Sequence, residues 1–240
     1  MNVDAAASMT PEPIGRVAAV MRAVQEHLQQ QALLPGDQIP SEGTFAKALG
    51  VSRVVVREAF RSLSALGLID VGNGRRARVA RIDHAVVASV FGHAVRTNQI
   101  SIQQIYDVRR TVESRTVALA ALRREAREVE AINGLALAMR RDFDIPEKVM
   151  EHDIAFHEAI ATASRNPAFL LLVGAFRHVT GQTWPIGWRS RASDAHRMES
   201  IALHEAIAAA IGAQDPQGAQ AAMLRHFDDS VKALIAAGIN

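Results

Sequence analysis

The 240-residue sequence predicts a mainly α protein with two parts, an N-terminal winged helix-turn-helix and a C-terminal all-α helical bundle. Three observations predict this fold class. Two short helical patterns occur between residues 34 and 65, a glycine-centred hairpin pattern follows them, and long alanine- and leucine-rich stretches with helical period then continue to residue 238. The length allows one large or two modest domains, and the change of pattern after Arg81 favours two.

Residues 40–65 predict two helices joined by a tight turn. The first helix starts at Pro40-Ser41 and ends at Leu49-Gly50. Ser52 is a good N-cap for the second, which should run from about Arg53 to Ala65. Helix, tight turn and helix are the elements of a helix-turn-helix.

The second of these helices has two different faces. Its apolar stripe, suited to a core, consists of Val56, Ala59, Phe60 and Leu63. Arg53, Arg57 and Arg61 recur every fourth residue on another strip. A row of arginines can be no more than a solvated helix face. After a helix and a turn, however, it is typical of a recognition helix, which enters the major groove of DNA.

A hairpin should follow the second helix, with strands at residues 68–71 and 77–80. Gly72, Asn73 and Gly74 between them tolerate positive φ and therefore suit the tip of a wing. Three arginines lie just beyond this tip, where they would reach a neighbouring groove or its phosphates: Arg75, Arg76 and Arg78.

These residues resemble the winged helix of the GntR superfamily of bacterial transcription regulators. The resemblance runs through Leu34-Pro35-Gly36, Pro40-Ser41-Glu42, Leu49-Gly50-Val51-Ser52-Arg53, Val56-Arg57-Glu58-Ala59, Gly67-Leu68 and Gly72-Asn73-Gly74. It implies that Arg53 and Arg57 contact operator DNA, and that four other residues help at the groove and backbone, namely Ser52, Asn73, Gly74 and Arg75. This chain has Gly43 where the family commonly has an arginine, so we expect its operator preference to differ from that of its relatives.

Charge and composition agree with DNA binding. Residues 1–82 carry ten arginine or lysine residues against seven acidic ones, so the formal positive excess lies in this part of the chain. The absence of cysteine excludes disulfides and thiolate metal sites. We see neither a signal peptide nor 18 consecutive apolar residues, which leads us to expect a cytoplasmic protein with no membrane partner.

The second part should be all helical. We predict helices near residues 84–97, 101–123, 125–141, 146–164, 167–183, 195–213 and 215–237. Prolines mark three of the breaks, at Asn166-Pro167, Trp184-Pro185 and Asp215-Pro216.

Four polar residues occur on helix faces that should be apolar. Asp153 and His157 are four residues apart on one helix and therefore project together. His204 falls within the inner row of the next-to-last helix, and His226 within that of the last. A single inward histidine is more often a hydrogen-bonded core residue than a ligand. One carboxylate and three imidazoles together suit Zn, Ni, Mn or Fe, with open positions for a small carboxylate ligand.

Residues 100–238 resemble the FadR C-terminal ligand-binding domain, which occurs in one branch of the GntR superfamily. The shared marks are Asp107-Val108-Arg109 with Glu113, Asp153 with His157, Asn166-Pro167, His204 with Glu205 and Ala206, and His226. Members of this branch that bind metal use an Asp and three His, which match Asp153, His157, His204 and His226. The fatty-acyl-binding namesake lacks this set, so the resemblance favours a metabolite acid as the effector, with zinc as the first choice of ion.

Arg109 shares a face with Ile102, Ile105, Val112 and Thr116, and we expect its guanidinium to point into the same cavity. There it would clamp a carboxylate of the effector. The alternative is an internal salt bridge to Glu113 or Asp153. Arg177, His178 and Trp184 are further candidates for the pocket lining, although Trp184 before a proline is equally well explained as a packing residue.

The sequence thus predicts a homodimeric regulator, most simply a repressor of a catabolic operon, that releases or recruits operator DNA in response to a sugar acid or hydroxy acid. We expect residues 1–11 to form a mobile tail, 12–82 the winged helix-turn-helix, 83–99 a linker with the first helix, and 100–238 the effector-binding and dimerisation domain. A regulator with the metal ion itself as effector is one alternative. A metal-dependent hydrolase is another, but it leaves residues 34–79 without a purpose.

Overall fold

The computed structural model describes residues 13–72 and 75–239, with the side chains of residues 13 and 14 left aside. The described residues form ten helices and one two-stranded sheet, which confirms the mainly α fold. The chain divides into two compact units, of which the first ends at Val86 and the second begins at Val87. The tail predicted for residues 1–11 and the wing-tip residues Asn73 and Gly74 lie outside the described residues.

The first unit has the predicted winged helix-turn-helix elements and one further helix. Its elements are α1 (Pro13–Gln30), α2 (Glu42–Leu49), α3 (Arg53–Ala65), β1 (Ile69–Asp70) and β2 (Arg78–Val79). Ser41 and Ser52 cap α2 and α3, each accepting a hydrogen bond from a backbone N–H three residues later. Gly50 ends α2 with φ of 64°, a left-handed conformation that favours glycine. The strands pair antiparallel, with Ile69 opposite Val79.

Helix α1 was not predicted, although the sequence contains the apolar spacing of a helix there. The residues at this spacing are Val17, Val20, Val24 and Leu28. Val20 and Val24 are fully buried in the core of the first unit. They pack there with the apolar stripe predicted for α3, which consists of Val56, Ala59, Phe60 and Leu63. The outer strip of α3 therefore stays at the surface.

The second part is all helical, as predicted. Helix α4 (Ala85–Arg96) is followed by α5 (Ile102–Arg123), α6 (Ala126–Arg141), α7 (Pro146–Ala163), α8 (Pro167–Ser190), α9 (Asp194–Gly212) and α10 (Pro216–Ala236). Their boundaries lie within one residue of the prediction, except at the end of α8. The main core lies where α5, α6, α7, α9 and α10 meet. Among the described residues, no helix is both long and apolar enough to span a membrane.

The predicted break at Trp184-Pro185 is wrong, because α8 continues through Pro185 to Ser190. A proline removes one helical N–H and crowds the carbonyl four residues earlier, which here belongs to Gly181. The rings of Trp184 and Trp188 stack across the proline, with centroids 4.9 Å apart. This stacking lies within the helix. In addition, Thr183 and Trp188 on the two sides of Pro185 are buried in the bundle, and this packing holds both halves of α8 in one helix.

Candidate metal and effector site

Three helices of the second unit place the four predicted ligands in one buried cluster. Asp153 and His157 lie one turn apart on α7, His204 lies on α9, and His226 lies on α10. Each residue offers one ligand atom, and these four atoms lie within 4.8 Å of one another. All four residues are at least nine-tenths buried. The helix faces identified in the sequence therefore converge at one point of the bundle.

Two hydrogen bonds orient the histidine rings of this cluster. The Nδ1–H of His157 donates to a carboxylate oxygen of Glu113 on α5. The Nδ1–H of His204 donates to the backbone carbonyl of Ser200, at 2.9 Å. In His157 the Nε2 atom is then left with its lone pair, which is the arrangement that a metal-binding histidine needs. Nε2 of His204 lies 2.8 Å from Oδ1 of Asp153, so these two candidate ligand atoms pair with each other in this structure.

Among the described residues, two buried ring nitrogens of the cluster have no hydrogen-bond partner, namely Nε2 of His157 and Nδ1 of His226. A buried polar atom without a partner is costly, and most such atoms in proteins are paired. A cation bound between these rings would satisfy them. The donor set, one carboxylate and three imidazoles, therefore fits a divalent transition metal.

Electrostatics in the cluster also suit a metal. Burial raises the pKa of Asp153, but the hydrogen bond from His204, at 2.8 Å, and the nearby histidines outweigh burial and lower this pKa below its usual range. Burial and the neighbouring His204 and His157 hold the pKa of His226 well below 6.5. At neutral pH the cluster thus contains a carboxylate and a neutral imidazole, which are the protonation states that bind metal.

From the sequence, Glu113 was a mark of the family resemblance and a possible partner of Arg109. The structure shows that its carboxylate accepts hydrogen bonds from both Arg109 and His157. The Nε–H of Arg109 donates to Oε1 of Glu113 at 2.8 Å, which is the predicted alternative of an internal salt bridge. Burial raises the pKa of Glu113, but the charges of Arg109 and His157 prevail and lower it. Spacing along α5 reveals the pair with Arg109, whereas His157 is 44 residues distant in sequence.

A small cavity of about 40 Å³ adjoins the cluster. Its lining includes Asp153, His204 and His226 as well as Arg109 and Trp184. The guanidinium of Arg109 pairs with Glu113, and Arg109 also borders the cavity. It lies over the rings of Tyr106 and Phe227, at 5.2 and 5.1 Å from their centroids.

Two other residues predicted for the pocket lie elsewhere. Arg177 is exposed, forms an ion pair with Glu158 at 3.1 Å, and does not line the cavity. His178 is exposed beside Gln182. The reason is the rotation of α8, which turns Thr180, Thr183 and Trp184 toward the cavity and leaves residues 177 and 178 outside.

The four predicted DNA-binding residues that the structure describes lie at the surface of the first unit. Arg53, Arg57 and Arg75 are exposed and border one groove of about 460 Å³ between α3 and the wing. Arg57 pairs with Glu42 of α2 at 3.3 Å. Ser52 accepts from the N–H of Val55, at 3.4 Å, and so fixes the start of α3.

Gly43, which departs from the family pattern, lies in the same groove. The guanidinium of Arg53 approaches it, because a Cβ atom at position 43 would lie 3.5 Å from a terminal nitrogen of Arg53. Arg53 therefore occupies space that a longer side chain at position 43 would share.

Comparisons with known proteins agree with both parts of the chain. The model of the FCD domain matches residues 104–229, and the model of the bacterial regulatory proteins of the gntR family matches residues 16–79. The HTH-type transcriptional regulator LutR of Bacillus subtilis (strain 168) is 31% identical over 207 residues, which are 81% of this chain and 90% of LutR. The HTH-type transcriptional repressor NanR of Enterobacter sp. (strain 638) is 28% identical over 216 residues, 87% of this chain and 81% of NanR.

The fold is similar to that of a solved regulator. The structure of Streptococcus agalactiae GntR superposes with a TM-score of 0.61 at 20% identity, covering 89% of this chain and 97% of that one.

Proposed function

The chain belongs to the gntR family of bacterial regulatory proteins and carries an FCD domain. On this premise we propose that it is a homodimeric repressor of a catabolic operon, and that its effector is a small organic acid bound at a divalent metal site. That it is a DNA-binding transcription regulator follows from the family itself, whose matched relatives are regulators and not enzymes. The acid, the metal, the dimer and the direction of regulation are the proposed parts.

One observation carries the proposal of the effector site. A buried carboxylate and three buried histidines, two with unpaired ring nitrogens, adjoin a cavity that an arginine also borders. Asp153, His157, His204 and His226 would hold the ion. Zinc suits this set best, while Ni, Mn and Fe accept the same ligands. When bound, the ion supplies positive charge and open positions at which a carboxylate can bind.

Different residues of the chain would have different roles in binding an acid. Glu113 and the carbonyl of Ser200 fix the ring orientations of His157 and His204. Arg109 borders the cavity and offers planar N–H donors that match a carboxylate. Trp184 lines the same cavity and excludes water from one side. Arg177, being outside, has no part in this binding.

On the DNA side, Arg53 and Arg57 of α3 would reach base edges and phosphates in the major groove. Ser52 fixes the start of α3, and Arg75 would follow the wing toward an adjacent groove. We keep Asn73 and Gly74 as proposed wing-tip contacts. A homodimer would present two such units to a palindromic operator, in the cytoplasm where the operator is.

The repressor role has support from NanR, whose name describes a transcriptional repressor. The effector can change DNA binding only if it binds one arrangement of the dimer more tightly than another. An alternative within the same family is a regulator whose effector is the metal ion itself. The same cluster supports this, since binding an ion would satisfy the two unpaired ring nitrogens without any acid.

Operator titration tests the proposal. Purified protein would be titrated on its operator at fixed salt in three states: metal-free, metal-loaded, and metal-loaded with a sugar acid or hydroxy acid. We expect the acid to lower the affinity of the metal-loaded protein for DNA and to leave the metal-free protein unchanged. A change caused by metal alone would favour the metal-sensing alternative.

A further inference from the structure

A second arginine borders the effector cavity, at the end of α8. Arg191 is the C-cap of this helix and is only 6% exposed. One terminal nitrogen donates to the carbonyl of Gly187 at 2.9 Å. The other donates to Asp229 of α10 at 2.5 Å and to the hydroxyl of Ser200 at 3.1 Å. These contacts fix the guanidinium rigidly against the cavity wall.

The Nε–H group of Arg191 is buried and has no hydrogen-bond partner in the described part of the chain. Unpaired buried donors are uncommon, and a fixed guanidinium with one free N–H is suited to an oxygen acceptor. The hydroxyl-bearing residues Ser200 and Ser230 line the same cavity. This side of the cavity therefore offers polar groups, where an aliphatic chain would require an apolar wall.

The charges around the cavity limit the charge of the ligand. Arg109 is paired with Glu113 and Arg191 with Asp229, so these four charges cancel. Asp153 then leaves a net charge of −1, which a divalent ion between neutral imidazoles converts to +1. One carboxylate balances this charge. A second carboxylate on the ligand would be buried without a partner, which is costly.

We infer that Arg191 is a specificity-determining residue, and that the effector is a monocarboxylic acid bearing at least one hydroxyl group, which accepts a hydrogen bond from Nε of Arg191. This inference rests on the proposed function, because it takes the metal and Arg109 as the site of the single carboxylate. It excludes dicarboxylic acids and unsubstituted fatty acids as the effector.

Two matched sets of probes test the inference by calorimetric titration of metal-loaded protein. The six-carbon set is gluconate, glucarate and hexanoate, and the three-carbon set is glycerate, tartronate and propionate. Within each set the first member has one carboxylate and hydroxyls, the second adds a carboxylate, and the third lacks hydroxyls. In at least one set, we expect the affinity of the first member to be at least about tenfold higher than that of the other two.

Arg191→Lys keeps the positive charge beside Asp229 and removes the Nε–H donor. We expect it to lose about tenfold in affinity for the hydroxy acid, the effect of one charge-assisted hydrogen bond, with unchanged affinity for hexanoate or propionate. Arg177→Lys, an exposed position on the same helix, is the matched control and should behave as the parent. Bound metal, measured by elemental analysis, should be equal in all three proteins.

The outcomes distinguish this inference from the proposed function. If none of the six acids binds metal-loaded protein, the proposed acid effector is wrong and the inference fails with it. If acids bind but the parent prefers a dicarboxylate or an unsubstituted acid, only the inference fails. Equal affinity of Arg191→Lys and parent for the hydroxy acid also overturns it. Should Arg191→Lys not fold, the selectivity of the parent still decides.

Discussion

Glu113 connects Arg109, which borders the effector cavity, with His157 of the buried cluster. One of its carboxylate oxygens accepts from Arg109 and the other from His157. Replacing this carboxylate by an amide would leave one oxygen acceptor for two donors and would leave Arg109 without its buried counter-charge. This single side chain would thus affect both the proposed metal site and the charge of the cavity.

Glu113→Gln is expected to weaken metal binding by about 10- to 100-fold, the usual effect of losing a group that orients a metal-binding histidine. Competition with a chromogenic chelator measures this affinity. Glu158→Gln is the matched control, because Glu158 also pairs with an arginine but does so at the surface. Equal metal affinity in Glu113→Gln and the control would show that His157 needs no such partner.

The two cluster histidines on α9 and α10, His204 and His226, provide the direct test of the metal site. His204→Ala combined with His226→Ala should abolish stoichiometric metal binding, since only Asp153 and His157 remain of the four ligands. Elemental analysis after dialysis measures the bound metal. His93→Ala, an exposed histidine on α4, is the control. The same metal content in the double variant and the parent would refute the assignment of this site.

Arg57 tests the DNA-binding face. Arg57→Ala should weaken operator binding by about 1 to 3 kcal/mol with the fold intact, because an arginine at a base edge typically contributes this much. A gel-shift titration at fixed salt measures the change. Arg127→Ala removes a more exposed charge from α6 of the second unit and should leave the affinity unchanged. Operator affinity that is the same in Arg57→Ala and the parent would contradict the role of Arg57.

At the scale of elements, α8 shows why a local signal can mislead. Pro185 marks a break by its own chemistry, and the helix nevertheless continues because the residues on both sides are packed. Thr183 donates its hydroxyl hydrogen to the carbonyl of Val179 at 2.9 Å, and Trp184 stacks on Trp188. The continuation brings Trp188 and Arg191 to the cavity, so this helix contributes more to the site than the predicted shorter one.

Pro185→Ala should raise the free energy of unfolding by about 1 to 3 kcal/mol, because it restores a helical N–H donor and removes the crowding of the preceding turn. Urea unfolding followed by circular dichroism measures this change. Gly181→Ala serves as a comparison for helix propensity alone, since an added Cβ there meets nothing within 4 Å. A lower stability of Pro185→Ala would mean that the bundle requires the shape that the proline imposes.

Elements with local causes were predictable from the sequence. Ser52 begins α3 and Gly50 ends α2 through contacts within four residues, and inward stripes placed the four cluster residues on the correct faces. Partners distant along the chain were not predictable. Glu113 finds His157 and Arg191 finds Asp229 only because helices pack, and the rotation that excludes Arg177 from the cavity depends on the same packing.

At the scale of the whole molecule, the buried cluster makes the free energy of unfolding depend on pH. The native fold holds the pKa of His226 well below 6.5, chiefly by burial, whereas the unfolded chain has its ordinary value of about 6.5. Below about pH 6.5 the unfolded chain therefore binds a proton at His226, whereas the native protein leaves this ring neutral until the pH is well below 6.5. Above that pH the ring is neutral in both states and contributes nothing to the pH dependence.

The free energy of unfolding of the metal-free protein should consequently fall as pH drops below about 6.5, because the unfolded state then binds more protons than the native state. His226 contributes at most about 1.4 kcal/mol per pH unit to this fall. Urea unfolding in the presence of a chelator, repeated from pH 8 to pH 5, measures the dependence. His226→Gln should have a shallower slope below pH 6.5 and the same slope as the parent above it. Parallel curves over the whole range would mean that the native fold accommodates a charged ring at position 226 without cost.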